Sequence, residues 1–122
     1  MDPHVSEALT RDDTPFGCVV HRRGHASEIV LDGELDLAAR QTLDDAVRAA
    51  LEPGSVEAVV IDLRAVTFAD STTIAWMVAV DRRTRSNGVR LVVIAVPGPV
   101  RRLMEMTGLD ARLTLIDDGP TR

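Results

Sequence analysis

Two apolar runs rich in β-branched residues constrain the fold of this chain more than any other feature of its sequence. Val56–Leu63 and Val89–Val96 are each too short to form a buried helix, and they are typical of strands in the middle of a sheet. Between them, a helical segment begins near Asp70 and ends at Asn87 and Gly88, which tolerate the left-handed conformation of a helix end. Strands joined by a helix pair in parallel through right-handed crossovers, so this region predicts an α/β fold.

The remaining segments continue the alternation of strands and helices. Alternating apolar and polar residues predict a first strand at Phe16–Arg22, and a second strand at Glu28–Leu35 is expected to form a hairpin with it, with a bend at Gly33. The predicted elements are strands at Phe16–Arg22 and Glu28–Leu35, a helix at 43–51, the strand–helix–strand unit described above, a helix from Pro99 to about Gly108, and a strand at Leu113–Ile116. Their order predicts a mixed, mostly parallel β-sheet with one antiparallel strand and with helices packed on it.

The chain has 122 residues, a length that fits one compact domain. Residues 1–14 are polar and lack periodicity, so we expect a flexible N-terminal tail without a hydrophobic signal region. The domain itself is predicted to span residues 15–118, and residues 119–122 are predicted to form a C-terminal tail. No segment approaches the ~18 apolar residues of a membrane span, so we expect no membrane insertion and a cytoplasmic location.

Charge and composition exclude several classes of function. The net charge of −5 is unfavourable for binding nucleic acid, which requires a basic surface to neutralise phosphates. The chain contains no Lys, which excludes a Walker phosphate-binding loop and Schiff-base chemistry. Cys18 is the single cysteine, and His4, His21 and His25 lack the spacing of metal ligands, so no metal or cofactor is expected. Ser71 lacks an evident His base, and the sequence predicts no catalytic residues and no enzyme activity.

Four segments of the chain, in order and at similar spacings, resemble a single family. GELDL at 33–37 is similar to the loop that leaves the family's second strand, and VVIDLRAVTFADSTTI at 59–74 to its central strand and phosphoacceptor turn. GVRLVVI at 88–94 is similar to the next strand, and VRRLMEMTGLD at 100–110 to the third helix and its exit. The segments resemble STAS domains of the anti-sigma-factor-antagonist type, and the likeness extends over about residues 16–117. The resemblance implies a STAS-like mixed sheet and a regulatory role through protein binding.

The phosphoacceptor turn departs from the usual pattern of the family at one position. Related antagonists usually read Asp-Ser-Ser/Thr-Gly at this turn, whereas this chain reads Asp70-Ser71-Thr72-Thr73. We expect the Cβ of Thr73 to crowd the backbone where a partner protein approaches. The fold is not affected, because Thr is tolerated in the first turn of a helix.

The resemblance also implies a phosphorylation switch at Ser71. A kinase-type anti-sigma factor would phosphorylate Ser71 with its ATP, and the unphosphorylated antagonist would bind that kinase and free a sigma factor. A phosphatase would restore the hydroxyl. The alternative within the same family is a STAS regulatory subunit, not phosphorylated, that belongs to a membrane transporter or a stress-signalling complex.

A set of six residues is expected to form the surface that binds the partner. They are Asp36, Asp70, Ser71, Thr72, Thr73 and Trp76. Asp36 is included because the GELDL loop approaches the same end of the sheet in this family. Trp76 is included because it lies outside the inward stripe of its helix, and an outward Trp is a common interface anchor. Structural alternatives remain open: Asp70, Ser71 and Thr72 as helix caps, Asp36 as a turn former, and Trp76 covered by the tail or a loop.

A charged residue lies where the helical wheel expects an apolar one. Asp81 falls at the centre of the inward stripe that Ile74, Met77 and Val78 define. We expect the end of the helix to rise clear of the core there, with Arg85 one turn later as the partner of the carboxylate.

Overall fold

The computed structural model of the protein describes residues 4–8, 15–52 and 54–117. Six strands and three helices make up this part of the chain. The strands are β1 (His4–Ala8), β2 (Phe16–Arg23), β3 (Ala26–Leu35), β4 (Ala58–Ala69), β5 (Arg90–Ile94) and β6 (Thr114–Ile116). The helices are α1 (Arg40–Leu51), α2 (Ser71–Ser86) and α3 (Pro99–Met106), with short 3-10 turns at Leu37–Ala39 and Leu109–Ala111.

The six strands form one sheet in which each strand pairs with the next one along the chain. β2 is antiparallel to both β1 and β3, whereas the pairs from β3 to β6 are all parallel. β2 is therefore the one described strand that runs against the others. A helix joins each consecutive pair of parallel strands. The predicted fold class, a mostly parallel mixed sheet with one antiparallel strand and packed helices, is confirmed.

β1 lies within the segment for which the sequence indicates a flexible tail. His4–Ala8 pairs in register with residues 19–23 of β2, so the tail prediction is wrong for this five-residue strand. An edge strand can be added through main-chain hydrogen bonds alone, so its sequence needs no apolar period. Residues 1–3, 9–14 and 118–122, on which the remaining tail predictions fall, lie outside the described residues.

The hydrophobic core lies between the helices and one face of the sheet. Val20, Ile29, Ile61 and Val93 are neighbours in register across β2, β3, β4 and β5, and all four are buried. All three helices contribute buried side chains to the same cluster. Removal of this continuous apolar surface from water is the main favourable term in folding. The core thus fixes the position of α2 and of β4, which carry the candidate site.

Gly33 lies at an irregularity in the pairing of β3 with β4, as the sequence predicts. The register shifts between Gly33 and Glu34, and Gly33 has a positive φ of 80°. The N–H of Glu34 donates to the carbonyl oxygen of Pro15 at 3.2 Å. A Cβ on Gly33 would lie 2.2 Å from that oxygen, so glycine permits this close approach of two backbones. The irregularity sets the register of the last residues of β3, which lead into the site.

The buried face of α2 differs from the predicted stripe. Ile74 and Val78, which the helical wheel places inward, are only half-buried. The buried residues are Thr73, Trp76, Met77, Val80, Asp81 and Thr84. α2 packs against α1 as well as against the sheet, so it buries more than one narrow stripe. Half of its buried positions are polar, and a hydrophobic pattern cannot detect such residues.

Asp81 is one of these polar residues and is only 5% exposed. The expectation that the helix end rises clear of the core is therefore wrong at this position. Arg85 as its partner is confirmed, because Arg85 Nε donates to Asp81 Oδ1 at 3.0 Å. This pairing offsets part of the cost of burying the carboxylate.

Candidate phosphorylation and docking site

Two neighbouring parallel strands end side by side, and an aspartate follows each of them. Leu35 of β3 and Ala69 of β4 are partners in register, so Asp36 and Asp70 come next at the same edge of the sheet. Asp36 Oδ1 accepts a hydrogen bond from the N–H of Ala38 at 3.0 Å and caps the 3-10 turn. Both aspartates remain partly exposed, so their carboxylates are accessible at this edge while they also act as caps.

Ser71 is exposed and is the first residue of α2. The cap of this helix is Asp70, whose Oδ1 accepts from the N–H groups of Thr72 and Thr73 at 2.9 and 3.3 Å. The capping role that the sequence leaves open among three residues therefore belongs to Asp70. Within the described part of the chain, no hydrogen bond occupies the Ser71 hydroxyl. The hydroxyl is accordingly accessible from solvent, with the half-buried Thr72 beside it.

Thr73 points into the protein rather than towards a partner. It is 1% exposed, and its hydroxyl donates to the carbonyl oxygen of Leu35 at 3.1 Å. The predictions that Thr73 contacts a partner and that its Cβ crowds the approach are therefore wrong. The first turn of α2 directs this side chain towards the end of β3. The last carbonyl of that strand is buried there and requires a hydrogen-bond donor, which Thr73 supplies.

Trp76 is 0% exposed, so the prediction that it points outward and contacts the partner is wrong as well. Trp76 lies between α1 and α2, where it lines a small groove with Val47 and Arg48. The helical-wheel prediction assumed that α2 packs only against the sheet. Because α2 also contacts α1, a second face of the helix is buried. Trp76 therefore belongs to the core.

Three of the five large apolar side chains that are exposed among the described residues lie near the ends of β3 and β4, and the sequence analysis did not select them. Leu37 directly follows Asp36 and is 73% exposed, and Phe68 precedes Asp70 by two residues and is 48% exposed. Met106, the last residue of α3, is 77% exposed. We call Leu37, Phe68 and Met106 the apolar rim. Phe68 and Met106 line one groove of about 280 Å³ between the end of β4 and α3.

The sequence contains a signal for one member of this rim. Met106 falls outside the apolar stripe of its helix, which comprises Val100, Leu103 and Met104, so a helical wheel places it towards solvent. Phe68 lies beyond two shifts in the register between β3 and β4. Because each shift changes which residues face the core, strand alternation does not predict the face of the sheet on which Phe68 lies.

The chemistry available at this edge is that of a hydroxyl, two carboxylates and exposed apolar side chains. Among the described residues, no group of three or more His, Cys, Asp and Glu side chains is arranged to hold a metal ion. In the described ranges there is also no helix with the length and apolarity that crossing a membrane requires.

Comparison with known proteins identifies the family. The family described as "Mlab, STAS domain" matches residues 18–117, which include the aspartates, Ser71 and all three helices. The chain belongs to the STAS domain family. Within this STAS domain, the matched range covers both strand ends that form the candidate site and nearly all of the core.

Solved structures of anti-sigma factor antagonists are similar to this STAS domain. An anti-sigma factor antagonist from Mycobacterium paratuberculosis is 26% identical, with a TM-score of 0.70 over 90% of this chain and 92% of that one. The anti-sigma factor antagonist SpoIIAA in its unphosphorylated form is 20% identical, with a TM-score of 0.62 over 95% of this chain and 89% of that one. The Bacillus SpoIIAA in its phosphorylated form is 19% identical, with a TM-score of 0.56 over 94% and 92%. The two SpoIIAA comparisons concern the fold alone.

Proposed function

We propose that this STAS domain is an anti-sigma factor antagonist that phosphorylation of Ser71 switches off. In its unphosphorylated form it binds a kinase-type anti-sigma factor and thereby frees a sigma factor. The kinase phosphorylates Ser71 with its ATP, and a phosphatase restores the hydroxyl. The domain supplies no catalytic group in this cycle, because it is the substrate of the other proteins. The observation that carries the proposal is the exposed hydroxyl of Ser71, which no hydrogen bond from the described residues occupies, beside the capping carboxylate of Asp70.

A phosphate at Ser71 would change the docking surface without unfolding the domain. It would add about −1.5 to −2 charges, and the dipole of α2 favours an anion at that end by roughly 0.3–1 kcal/mol. Asp70 already accepts from the N–H groups of Thr72 and Thr73, so these donors are not free to neutralise the phosphate. The dianion would therefore remain exposed next to a carboxylate.

Docking of a partner over this edge would have to desolvate the dianion and the carboxylate together. Mismatched charges at an interface cost several kcal/mol, and ~2.7 kcal/mol already lowers affinity about a hundredfold. A neutral hydroxyl carries no such penalty. Phosphorylation of Ser71 is thus sufficient to release a partner that binds the unphosphorylated form.

Two further features support docking at this edge. The apolar rim supplies large exposed side chains near the polar centre, and exposed apolar groups of this kind favour protein binding. Because Thr73 is buried, its presence in place of the usual Gly leaves the surface around Ser71 unobstructed. The likeness in fold to SpoIIAA in both forms supports a scaffold that tolerates the modified and the unmodified states.

The proposal is tested by incubating the protein with its kinase-type anti-sigma factor and ATP and locating phosphate by mass spectrometry. We expect one phosphate, on Ser71, and none in Ser71→Ala. In a binding assay, Ser71→Asp should weaken the complex by up to about a hundredfold. The matched control is Ser86→Asp, which places the same charge at the exposed opposite end of α2 and should bind like the wild type.

Other outcomes would contradict the phosphorylation switch. Phosphate on Thr72 alone would move the acceptor by one residue. Absence of phosphate, together with co-purification of membrane subunits from cells, would favour the alternative of an unphosphorylated STAS subunit of a transporter or stress-signalling complex.

A further inference from the structure

We infer that the end of α2 opposite Ser71 carries a second binding site, for a small molecule with a carboxylate or phosphate group and a short apolar part. A cavity of about 280 Å³ lies between the end of α2, the start of β5 and the residues around the start of β6. Arg85, which lines it, is about 21 Å from Ser71 along the helix axis. The cavity is therefore separate from the docking edge, and the inference does not rest on the proposed function.

Arg85 is held at this cavity by two contacts that use only part of its guanidinium group. Nε donates to Asp81 Oδ1 at 3.0 Å, and Nη2 donates to the carbonyl oxygen of Arg112 at 3.3 Å. A guanidinium has five N–H donors, so Nη1 and one hydrogen of Nη2 remain available. A planar donor group held in one orientation is suited to a carboxylate or a phosphate, which it can bind through two parallel hydrogen bonds.

Asp81 accounts for this fixed orientation. Asp81 is 5% exposed and lines the same cavity. A helix that only rested on the core would carry an apolar residue at this inward position, because burial of a carboxylate is costly even when it is paired. Asp81 instead acts as a positioning residue that holds Nε of Arg85 through this ion pair, as supporting side chains do in binding sites.

The charge of the cavity favours an anion. Arg90 and Arg112 line it together with Arg85, and neither forms an ion pair within the described ranges. Three arginines and one aspartate thus line this cavity, in a chain whose net charge is −5. An anionic ligand would reduce the repulsion among the arginines and pair with the donors that Arg85 leaves free.

The rest of the cavity determines the size and polarity of the ligand. Val89, Leu91 and Leu113 supply an apolar part of the wall. The volume is just below the ~300–1,000 Å³ that is usual for small-molecule sites. A short-chain carboxylic acid or a small phosphate ester fits both the apolar wall and the charge.

Two arginines of the same helix provide a matched comparison. Arg82 and Arg83 are exposed on α2 near Arg85 but do not line the cavity. Their position near the end of the helix is explained by the interaction of cations with the helix dipole. If general attraction of anions to α2 were the cause of binding, these two residues would contribute as much as Arg90 and Arg112.

The test is an NMR titration of the ¹⁵N-labelled full chain with sodium hexanoate and, separately, with inorganic phosphate, at constant ionic strength. We expect saturable shifts of the Arg85 Nε–H signal and of the amides of residues 89–91 and 112–114. Arg90→Gln and Arg112→Gln should each raise the dissociation constant about fivefold or more. Arg82→Gln and Arg83→Gln should leave it unchanged. Saturation by hexanoate alone or by phosphate alone would support the site and identify the ligand group.

Shifts that grow linearly without saturation for both probes would overturn the inference. So would an equal loss of affinity in all four arginine variants, because that result would indicate only non-specific attraction. The ¹⁵N spectrum of each variant provides the control for folding, and the arginines that are replaced are exposed, so the core is not disturbed.

Discussion

Ser71 and Thr73 are separated by one residue in α2 but lie in opposite environments. Ser71 is exposed, whereas Thr73 is buried and donates to the carbonyl oxygen of Leu35. This hydrogen bond joins the start of α2 to the end of β3, and it holds Asp36 next to Asp70 at the edge of the sheet. A single hydroxyl in the core therefore positions the groups that surround the exposed one.

Cys18 makes the stability of the protein depend on pH in the alkaline range. Burial, with a smaller contribution from the charge of Asp32, raises the pKa of the Cys18 thiol from 9.0 to about 12. As the pH rises, the unfolded chain loses this proton first, so stability that is complete below pH 9 is lost progressively up to about pH 12. At pH 10 the expected loss is about 1.4 kcal/mol.

The measurement compares urea unfolding at pH 7 and at pH 10 for the wild type and Cys18→Ala. The alanine variant is less stable at pH 7 because it loses buried volume, but it lacks the thiol and should lose less stability between the two pH values. An equal loss in both proteins would show that Cys18 does not contribute to the pH dependence.

At the scale of elements, the accuracy of the sequence-based prediction follows the strength of the apolar pattern. β4, β5 and the three helices were expected from β-branched runs, helix stripes and helix-ending glycines, and the irregularity at Gly33 was expected from the glycine itself. β1 was missed because an edge strand needs only main-chain hydrogen bonds. The orientation of α2 was missed because buried polar residues such as Thr73 and Asp81 carry no apolar signal.

The candidate site was predictable to the extent that it depends on the order of residues in the strand-to-helix turn. Asp36, Asp70 and Ser71 lie at the predicted edge because parallel strands end together. Thr73 and Trp76 were misplaced because their environment depends on how α2 packs against its neighbours in space. Packing against α1 is a property of the tertiary structure, and no local period in the sequence reports it.

Gly33 tests the irregularity that sets the end of β3. Gly33→Ala would place a Cβ 2.2 Å from the carbonyl oxygen of Pro15, in addition to the strain of a positive φ. We expect a loss of at least about 2 kcal/mol in the free energy of unfolding, measured by denaturant titration. Gly24→Ala is the matched control, because Gly24 also has a positive φ but faces open space; it should cost only about 1 kcal/mol. Equal losses would mean that the close contact with Pro15 has no energetic weight.

Trp76 tests whether α2 is oriented as described. Trp76→Ala would leave a large cavity between α1 and α2, so we expect a loss of about 3–5 kcal/mol in the free energy of unfolding. Trp76→Phe should cost less, because the ring still fills most of the space and Nε1 has no hydrogen-bond partner among the described residues. If the Trp76→Ala variant instead kept wild-type stability and bound its partner more weakly, the prediction that Trp76 points outward and contacts the partner would be correct.

On the scale of the whole molecule, the two ends of α2 carry different surfaces. The start of the helix lies at an edge with an exposed serine, two carboxylates and the apolar rim, whereas its end borders a cavity with three arginines. The sheet and the core hold the helix rigidly between these surfaces. A partner that docks over Ser71 and a small anion at the far end would thus bind without direct contact.

The apolar rim provides the test of where the partner docks. Truncation of a large side chain that becomes buried in an interface costs more than about 1 kcal/mol at the residues that dominate binding. Phe68→Ala and Met106→Ala should therefore each weaken the complex with the kinase-type anti-sigma factor by about tenfold, as measured by calorimetry. Phe68 is about half exposed and Met106 is largely exposed in the free protein, so the free energy of unfolding should change by no more than about 1 kcal/mol.

The matched control for the rim is Ile116→Ala. Ile116 is an exposed apolar residue of β6, two strands away from β4, and its truncation should leave binding unchanged if the partner docks over Ser71. The same comparison separates a contribution of the apolar rim to binding from a contribution of Ser71. If Ser71→Asp abolishes binding but Phe68→Ala and Met106→Ala bind at full strength, the partner contacts the acidic edge without the rim. If all three rim and control variants lose affinity equally, the loss reflects general apolar exposure, and the groove between β4 and α3 is not the docking surface.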